Sequence, residues 1–293
     1  MKSILVFYHV KDNDGLGSAW AAWRKLKEKA DYFGIDYYSG HHFDYKGKTI
    51  YFLDFRPHDD VVSLLKKNQN HLVLIDHHLS SRNKLKLFDE YKFDSRHSAA
   101  VLTWQYFFPR QKIPKILFYI EDIDIWKLKR AFSREINNVI EFYDSNFKHW
   151  NKLARDLEDT SKRKQYIQMG KVISQYQDKL IQKIAAKAKL VKFEGKKVLA
   201  VNSSILISEI GNALVKKRPP LAIIWSEINK NPSRSARQNL FSRFARNKKI
   251  WVSLRSNGFC DVSKIAEKYG GGGQKGAAAF MLDINAPLPW QEI

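Results

Sequence analysis

Short apolar runs alternating with amphipathic stretches predict an α/β protein. The expected architecture is an N-terminal, mostly parallel sheet flanked by helices, a long connecting helix, and a smaller C-terminal α/β domain with a mixed sheet. Two observations predict the parallel sheet. Strand-like runs at Ile4–His9, Phe33–Tyr38, Thr49–Asp54 and Leu72–Asp76 are separated by helical patterns at Leu16–Lys29 and His58–Lys67. Acidic and histidine residues follow those runs, where open α/β sheets bind their ligands. A third observation, the glycine run Gly270–Gly273 between a helical pattern and an apolar stretch, marks the second domain.

The first run, Ser3–Tyr8, follows a single lysine and is too short for the apolar core of a signal peptide, so it reads as strand. Further helices are predicted at Ser98–Phe108, Ile116–Asp122 and Arg134–Tyr143. From Ser161 to Lys187 the chain is lysine-rich, holds no proline, and repeats apolar residues at helical spacing, as at Tyr166, Met169, Ile173, Tyr176 and Leu180. That stretch predicts the connecting helix, whose lysines solvate it and which could also pack on its mate in a homodimer. Beyond it come strand Lys196–Val201, helix Leu206–Lys217, strands Leu221–Trp225 and Ile250–Arg255, helix Val262–Tyr269 and strand Ala278–Leu282. The expected division is 1–155, a connecting helix over 156–190, and 191–293, with an active-site cleft between the two domains.

The 293 residues suffice for two cores. No apolar stretch approaches ~20 residues, so no transmembrane helix is predicted. The single cysteine, Cys260, excludes an internal disulfide framework and a thiolate zinc site, and a cytoplasmic location is expected. A net charge of +21, from 51 basic and 30 acidic residues, implies polyanionic partners, namely nucleic acid, nucleotides or an acidic membrane surface, and no membrane partner is expected. The competing reading is a merely solvated surface.

Four clusters carry the chemistry: His9, Asp12, Asp14 and Gly15; Asp54; Asp76-His77-His78; and Glu121-Asp122 with Asp124. Carboxylate and imidazole donors without thiolates suit Mn²⁺ or Mg²⁺, with zinc an alternative. Two ions about 3.5–4 Å apart need several carboxylates, one of them bridging. His9, Asp12, Asp14, Asp54, His77 and Asp122 supply that set. His78 is placed to contact a scissile phosphate or protonate a leaving group. Each cluster alone has a plainer reading: an aspartate after a strand is usually a cap or turn residue, and His41-His42 reads as an ordinary surface loop. Their joint order is what makes them a site.

That order resembles the DHH phosphoesterase superfamily, which includes RecJ-type exonucleases, nanoRNases, cyclic-dinucleotide phosphodiesterases and polyphosphatases. The match runs through His9–Gly15 with Ser18-Ala19-Trp20-Ala21, then Asp54, Asp76-His77-His78, Ser98–Trp104 and Asp122. The resemblance implies that His9, Asp12 and Asp54 hold one metal and that Asp14, Asp54, His77 and Asp122 hold the other. Asp76 then orients the ligands from behind, and His78, Asp54 and Asp14 are the catalytic residues. The glycine run, with Val252–Ser256 and Asp261–Ala266, resembles the domain that accompanies DHH domains and binds substrate. By that likeness Arg255, Gly271, Gly272, Gly273, Gln274, Lys275 and Ser98 bind the substrate. Gln274 stands where the family usually has histidine; it can donate a hydrogen bond but cannot carry charge.

Between Trp225 and Ile250 lies a basic segment without an acidic residue from Asn229 onward. Its Arg234, Arg237, Arg243 and Arg246 read as a clamp on a nucleic-acid backbone, against a solvated insertion as the alternative. Together these readings predict a Mn²⁺-dependent phosphodiesterase or exonuclease. It would hydrolyse short or single-stranded oligonucleotides to nucleoside monophosphates by a two-metal-activated hydroxide. The alternatives are a cyclic- or linear-dinucleotide phosphodiesterase, pyrophosphate or polyphosphate hydrolysis, and a catalytically degenerate nucleic-acid-binding protein.

Overall fold

The structure, a computed structural model, describes residues 1–10, 12–35, 41–143, 146–229 and 248–293. It divides into two compact units, Met1–Ser174 and Gln175–Ile293.

The first unit is built on strands β1 (Ile4–His9), β2 (Ala30–Ile35), β3 (Thr49–Leu53), β4 (His71–Asp76) and β5 (Glu90–Phe93), in the order β2-β1-β3-β4-β5. All neighbours pair in parallel. Strand β2 starts three residues earlier than its sequence pattern suggested, because Ala30 pairs with Ile4 at the foot of β1. Residues 36–38 of the expected strand lie outside the described residues.

The helices of this unit are α1 (Asn13–Leu26), α2 (Asp59–Lys67), α3 (Ala99–Phe107), α4 (Lys115–Asp124), α5 (Ser133–Phe142) and α6 (Phe147–Glu158), and α7 (Thr160–Ala185) continues past the division. The apolar run of β4 explains why the sheet is covered on both faces. Leu72 and Leu74 pack with Leu5, Phe7, Ile50 and Phe52, while Val73 and Ile75 pack with Val6, Leu53 and Leu102. Alternation along a strand sends successive side chains to opposite faces, and here both are apolar. Helix α6 has no counterpart in the sequence pattern above; Asn146 caps it, and Trp150, Leu153 and Leu157 form its buried stripe. His41 and His42 lie in a loop, as expected, with His42 exposed. His41 is half-buried against Phe7 and Phe43, with Nε2 2.9 Å from the Tyr45 hydroxyl.

The second unit is a seven-stranded sheet in the order β10-β11-β9-β8-β7-β6-β12. Its strands are β6 (Lys189–Phe193), β7 (Lys196–Asn202), β8 (Leu221–Asn229), β9 (Lys248–Ser256), β10 (Gly272–Gln274), β11 (Ala277–Asp283) and β12 (Gln291–Glu292). Only β7 and β8 pair in parallel, so the sheet is mixed. Helices α8 (Ile207–Lys217) and α9 (Val262–Lys268) bury Ile210 and Leu214, and Val262 and Ala266, against it. The basic segment with Arg234, Arg237, Arg243 and Arg246 lies outside the described residues. Among the described residues no helix is long and apolar enough to cross a membrane.

Candidate metal centre

In the order β2-β1-β3-β4-β5 the chain leaves β1 toward one side of the sheet and β3 continues on the other. That reversal opens a crevice at the carboxyl ends of β1 and β3. His9 ends β1, and Asp54 follows β3. Asp76 ends β4, with His77 and His78 just beyond it.

Local backbone chemistry fixes each side chain. Asp12 caps α1, accepting from the Gly15 amide at 2.9 Å, and places Asp14 in the first turn. Gly15 is required by close approach: a Cβ there would lie 1.9 Å from the His9 carbonyl oxygen. Asp54 has φ +65°, unusual for a residue other than glycine, and its amide donates to the Ile75 carbonyl at 3.0 Å. That bond ties the turn after β3 to the end of β4.

The donors converge. His9 Nδ1 lies 2.7 Å from Asp12 Oδ2 and 3.6 Å from Asp54 Oδ2. His77 Nε2 lies 3.4 Å from Asp54 Oδ1, 3.6 Å from Asp124 Oδ2 and 3.7 Å from Asp14 Oδ2. Among the described residues three groups therefore have metal-holding geometry: His9 with Asp12 and Asp54, Asp14 with His77 and Asp124, and Asp54 with Asp76, His77 and His78. Asp54 joins the first group to the third, as a bridging ligand would.

Asp122 does not join them. It is buried, and its carboxylate accepts from the backbone amides of Lys129 at 3.0 Å and Arg130 at 3.1 Å, folding the segment after α4. Asp124 stands in the place expected of Asp122. Residues two apart on a helix point about 200° apart, so only one of the pair can face His77. The signal was available: Asp124 lies seven residues after buried Leu117 and four after buried Ile120, on one stripe.

The Asp76 carboxylate gathers the turn after β4. Its Oδ1 accepts from the His77 amide at 2.7 Å, the His78 amide at 3.1 Å and His78 Nδ1 at 2.7 Å, and its Oδ2 accepts from the Ser81 hydroxyl. A carboxylate can only accept, so His78 carries its proton on Nδ1. Ser98 is not placed to meet a substrate. It is fully buried, its hydroxyl caps α3 by accepting from the Val101 amide, and its own amide donates to Glu121. The following amides, Ala99 and Ala100, donate to the Asp14 carboxylate at 2.8 and 2.9 Å. The positive end of α3 thus faces Asp14.

Burial and the nearby Asp54 charge push the Asp14 carboxyl up to about 7. Burial, with Asp14 and Asp54 beside it, raises Asp124 as well. Burial also works against the Asp54 charge, but the His77 and His9 rings close beside it outweigh that and hold the carboxyl well below the usual range. Burial disfavours the protonated rings, yet their carboxylate partners prevail, Asp12 and Asp54 at His9 and Asp54 at His77. The histidines rise to about 10 and about 9. His78 rises to about 9 in the same way, through Asp76.

Buried polar atoms that lack hydrogen-bond partners decide whether these residues fit a metal. Among the described residues Asp54 Oδ1, His77 Nε2 and Asp124 Oδ2 have none, although His77 Nε2 lies close to both carboxylates. Their separations of 3.4 and 3.6 Å are long for good hydrogen bonds. An ion with bonds of about 2.1 Å separates neighbouring ligand atoms by about 3 to 3.5 Å. The residues fit a divalent cation.

In the second unit, Arg255 donates to the Ser208 hydroxyl at 2.9 Å and to the Leu254 carbonyl at 3.0 Å, and burial lowers its pKa despite Glu209 nearby. The glycine run forms a hairpin edge rather than a free loop. A Cβ on Gly271 would lie 2.1 Å from the Ala279 carbonyl oxygen, and one on Gly273, whose φ is +147°, would lie 2.5 Å from Ala278 Cα. Gly272, Gly273, Gln274 and Lys275 are exposed. Val262 donates its amide to the Lys275 carbonyl, which fixes the end of the hairpin against α9.

No family model matches the chain. A protein of Acanthamoeba polyphaga mimivirus described as uncharacterized is 27% identical over 318 residues, covering 99% of this chain and 70% of that protein. Among solved structures, the DHH domain of a member of a family of ribosomal proteins aligns with a TM-score of 0.60 at 12% identity. That match covers 96% of this chain and 83% of the other. A pGpG-specific phosphodiesterase from Vibrio cholerae aligns with a TM-score of 0.48 at 12% identity, covering 97% and 94%. The parallel sheet with Asp76-His77-His78 at the end of β4, and the likeness to a solved DHH domain, give this chain the DHH fold.

Proposed function

We propose that the protein is a divalent-metal-dependent phosphodiesterase acting on short or single-stranded oligonucleotides, releasing nucleoside monophosphates from an end. The observation that carries this reading is the set of buried donors without hydrogen-bond partners among the described residues, Asp54 Oδ1 and His77 Nε2 after β3 and β4 and Asp124 Oδ2 at the end of α4, in a DHH fold. His9, Asp12 and Asp54 would hold one Mn²⁺ or Mg²⁺, and Asp14, Asp54, His77 and Asp124 the other. When bound, such ions supply Lewis-acid polarisation of the phosphoryl group and an acidified attacking water.

The chain's own residues do the rest. Asp76 holds the His78 ring by Nδ1, which leaves Nε2 as the nitrogen for a substrate phosphate or a leaving oxygen. Asp14, anchored on the α3 amides, keeps its carboxylate fixed toward His77. Arg255, with the amides of the Gly272–Gln274 edge, suits a substrate phosphate, and the +21 charge favours a polyanion. A cyclic or linear dinucleotide satisfies the same groups and is the second reading.

The test is a panel with Mn²⁺: dinucleotides, longer single strands of RNA and DNA, cyclic dinucleotides and pyrophosphate. Cleavage of oligonucleotides from an end supports the proposal. Turnover confined to cyclic dinucleotides or pyrophosphate replaces it, and no phosphodiester cleavage refutes it.

A further inference from the structure

The segment after α4 displays bulky side chains that a soluble chain normally hides. Trp126, Leu128 and Phe132 are 52%, 57% and 42% exposed. Each also adopts a left-handed backbone, with φ of +53°, +49° and +67°. Bulky residues rarely occupy that region, and strain of this kind persists where the surroundings over-determine it, commonly beside functional sites.

Here the surroundings are specific. The Asp122 carboxylate binds the amides of Lys129 and Arg130, and its carbonyl accepts from the Leu128 amide at 3.1 Å. The Trp126 amide donates to the Ile123 carbonyl at 3.1 Å. Lys127 Nζ donates to Glu121 at 2.7 Å, and the Arg130 guanidinium sits 5.0 Å from the Phe118 ring centre. The segment is tied down at both ends, and the indole is held outward.

Its place matters as much as its exposure. Trp126 comes two residues after Asp124, whose carboxylate faces His77, so their Cα atoms are at most about 7 Å apart. One nucleotide covers that span. Lys129 adds an exposed cation on the same segment. An aromatic face beside a phosphate-handling site suits a nucleobase, because every base offers a π-face to stack on.

We infer that Trp126 is the platform on which the base of the bound nucleotide stacks, and that Asp122 is the positioning residue that holds the platform beside Asp124. The inference rests on the nucleotide chemistry of the proposed function. It adds a contact that distinguishes a nucleotide from a bare phosphate ester.

The experiment measures binding of AMP and of ribose 5-phosphate to the Mn²⁺-loaded full chain, in wild type, Trp126→Ala and Trp126→Phe. Cleavage of a dinucleotide by the wild type runs alongside. The platform predicts that Trp126→Ala weakens AMP about tenfold, that ribose 5-phosphate changes less than about twofold, and that Trp126→Phe recovers AMP to within about threefold. Equal binding of the two ligands by wild type overturns it. So does an equal loss of both in Trp126→Ala, or no loss of AMP. Absent dinucleotide cleavage with base-selective binding intact would sink the phosphodiesterase reading and leave the platform standing.

Discussion

Asp122 and Asp124 are both buried or half-buried carboxylates on the last turn of one helix, yet the structure gives their removal opposite consequences. Asp124 Oδ2 faces His77 with no hydrogen-bond partner among the described residues, and the carboxyl's proton is held by burial and by the charges of Asp14 and Asp54. A carboxyl whose folded pKa is raised costs stability once pH exceeds its unfolded value, and the cost grows until the folded value is passed. Asp124→Asn, neutral like the protonated carboxyl, removes that cost and should stabilise the metal-free protein at pH 7. The same substitution removes a proposed metal ligand. Loss of a ligand's outer partner alone costs about 10–100-fold in metal affinity, so loss of the ligand should cost at least about 100-fold.

Asp122→Asn should do the reverse. The carboxylate spans two backbone amides, and losing one charge-assisted bond should destabilise the protein by about 1–3 kcal/mol with or without metal. Its effect on Mn²⁺ affinity should stay within about tenfold. The assay is thermal unfolding in EDTA and at fixed Mn²⁺, with calorimetric titration of Mn²⁺ into each variant. At about 100 times the wild-type dissociation constant the metal should raise wild-type stability by about 2.7 kcal/mol; the increment should fall to about 0.4 kcal/mol or less in Asp124→Asn and stay at about 1.4 kcal/mol or more in Asp122→Asn. If Asp124→Asn lowers the metal-free melting temperature, or Asp122→Asn proves the poorer metal binder, the assignment of the two aspartates is wrong.

Three further outcomes follow from other parts of the molecule. Gly15→Ala should destabilise the first unit by about 3 kcal/mol or more in urea unfolding, since its Cβ would meet the His9 carbonyl at 1.9 Å; an unchanged midpoint would mean that α1 has room to move. The buried Asp156 is held down to about 2 by hydrogen bonds from Lys152, against burial, and by Lys162 and Tyr166. Because that pKa is depressed, its contribution is present above about pH 4 and lost as pH falls toward about 2. Asp156→Ala should cost about 1 kcal/mol at pH 7, with half-exposed lysines screening the pair, and the gap from wild type should narrow by pH 3. A gap that does not depend on pH would refute the electrostatic account. Neutralising Arg234, Arg237, Arg243 and Arg246 together should weaken binding of longer single strands and flatten its salt dependence, with little effect on dinucleotides; an unchanged salt slope would exclude the clamp.

What the sequence revealed, and what it hid, follows from physical differences between elements. Strands β1, β3 and β4 announce themselves because both faces are buried, which makes their runs continuous and apolar. Strand β5, Glu90-Tyr91-Lys92-Phe93, is a partly exposed edge strand that reads as loop. The glycine run suggests a loop by composition. It pairs as an edge because Gly271 and Gly273 let its backbone lie against β11 where a side chain would collide. At the site, residues on strand ends were legible because a strand delivers its last side chain to a known edge of the sheet. Asp124 was harder, since its selection over Asp122 depends on helix phase and on a loop that consumes the Asp122 carboxylate. Ser98 looked available as a small polar residue before a helix, but that is also what a helix cap looks like, and the cap is what the structure shows.

If the donors at the ends of β1, β3, β4 and α4 hold metal for phosphodiester hydrolysis, activity must follow the metal and the ligands together. Turnover of a dinucleotide by the full chain, followed as Mn²⁺ is titrated into metal-stripped wild type, Asp54→Ala and His77→Ala, tests this directly. The wild type should release nucleoside monophosphates only with metal, and both variants should lose at least about 100-fold in turnover. Cleavage that persists in EDTA, or that survives both substitutions, would contradict a metal-dependent site at these residues.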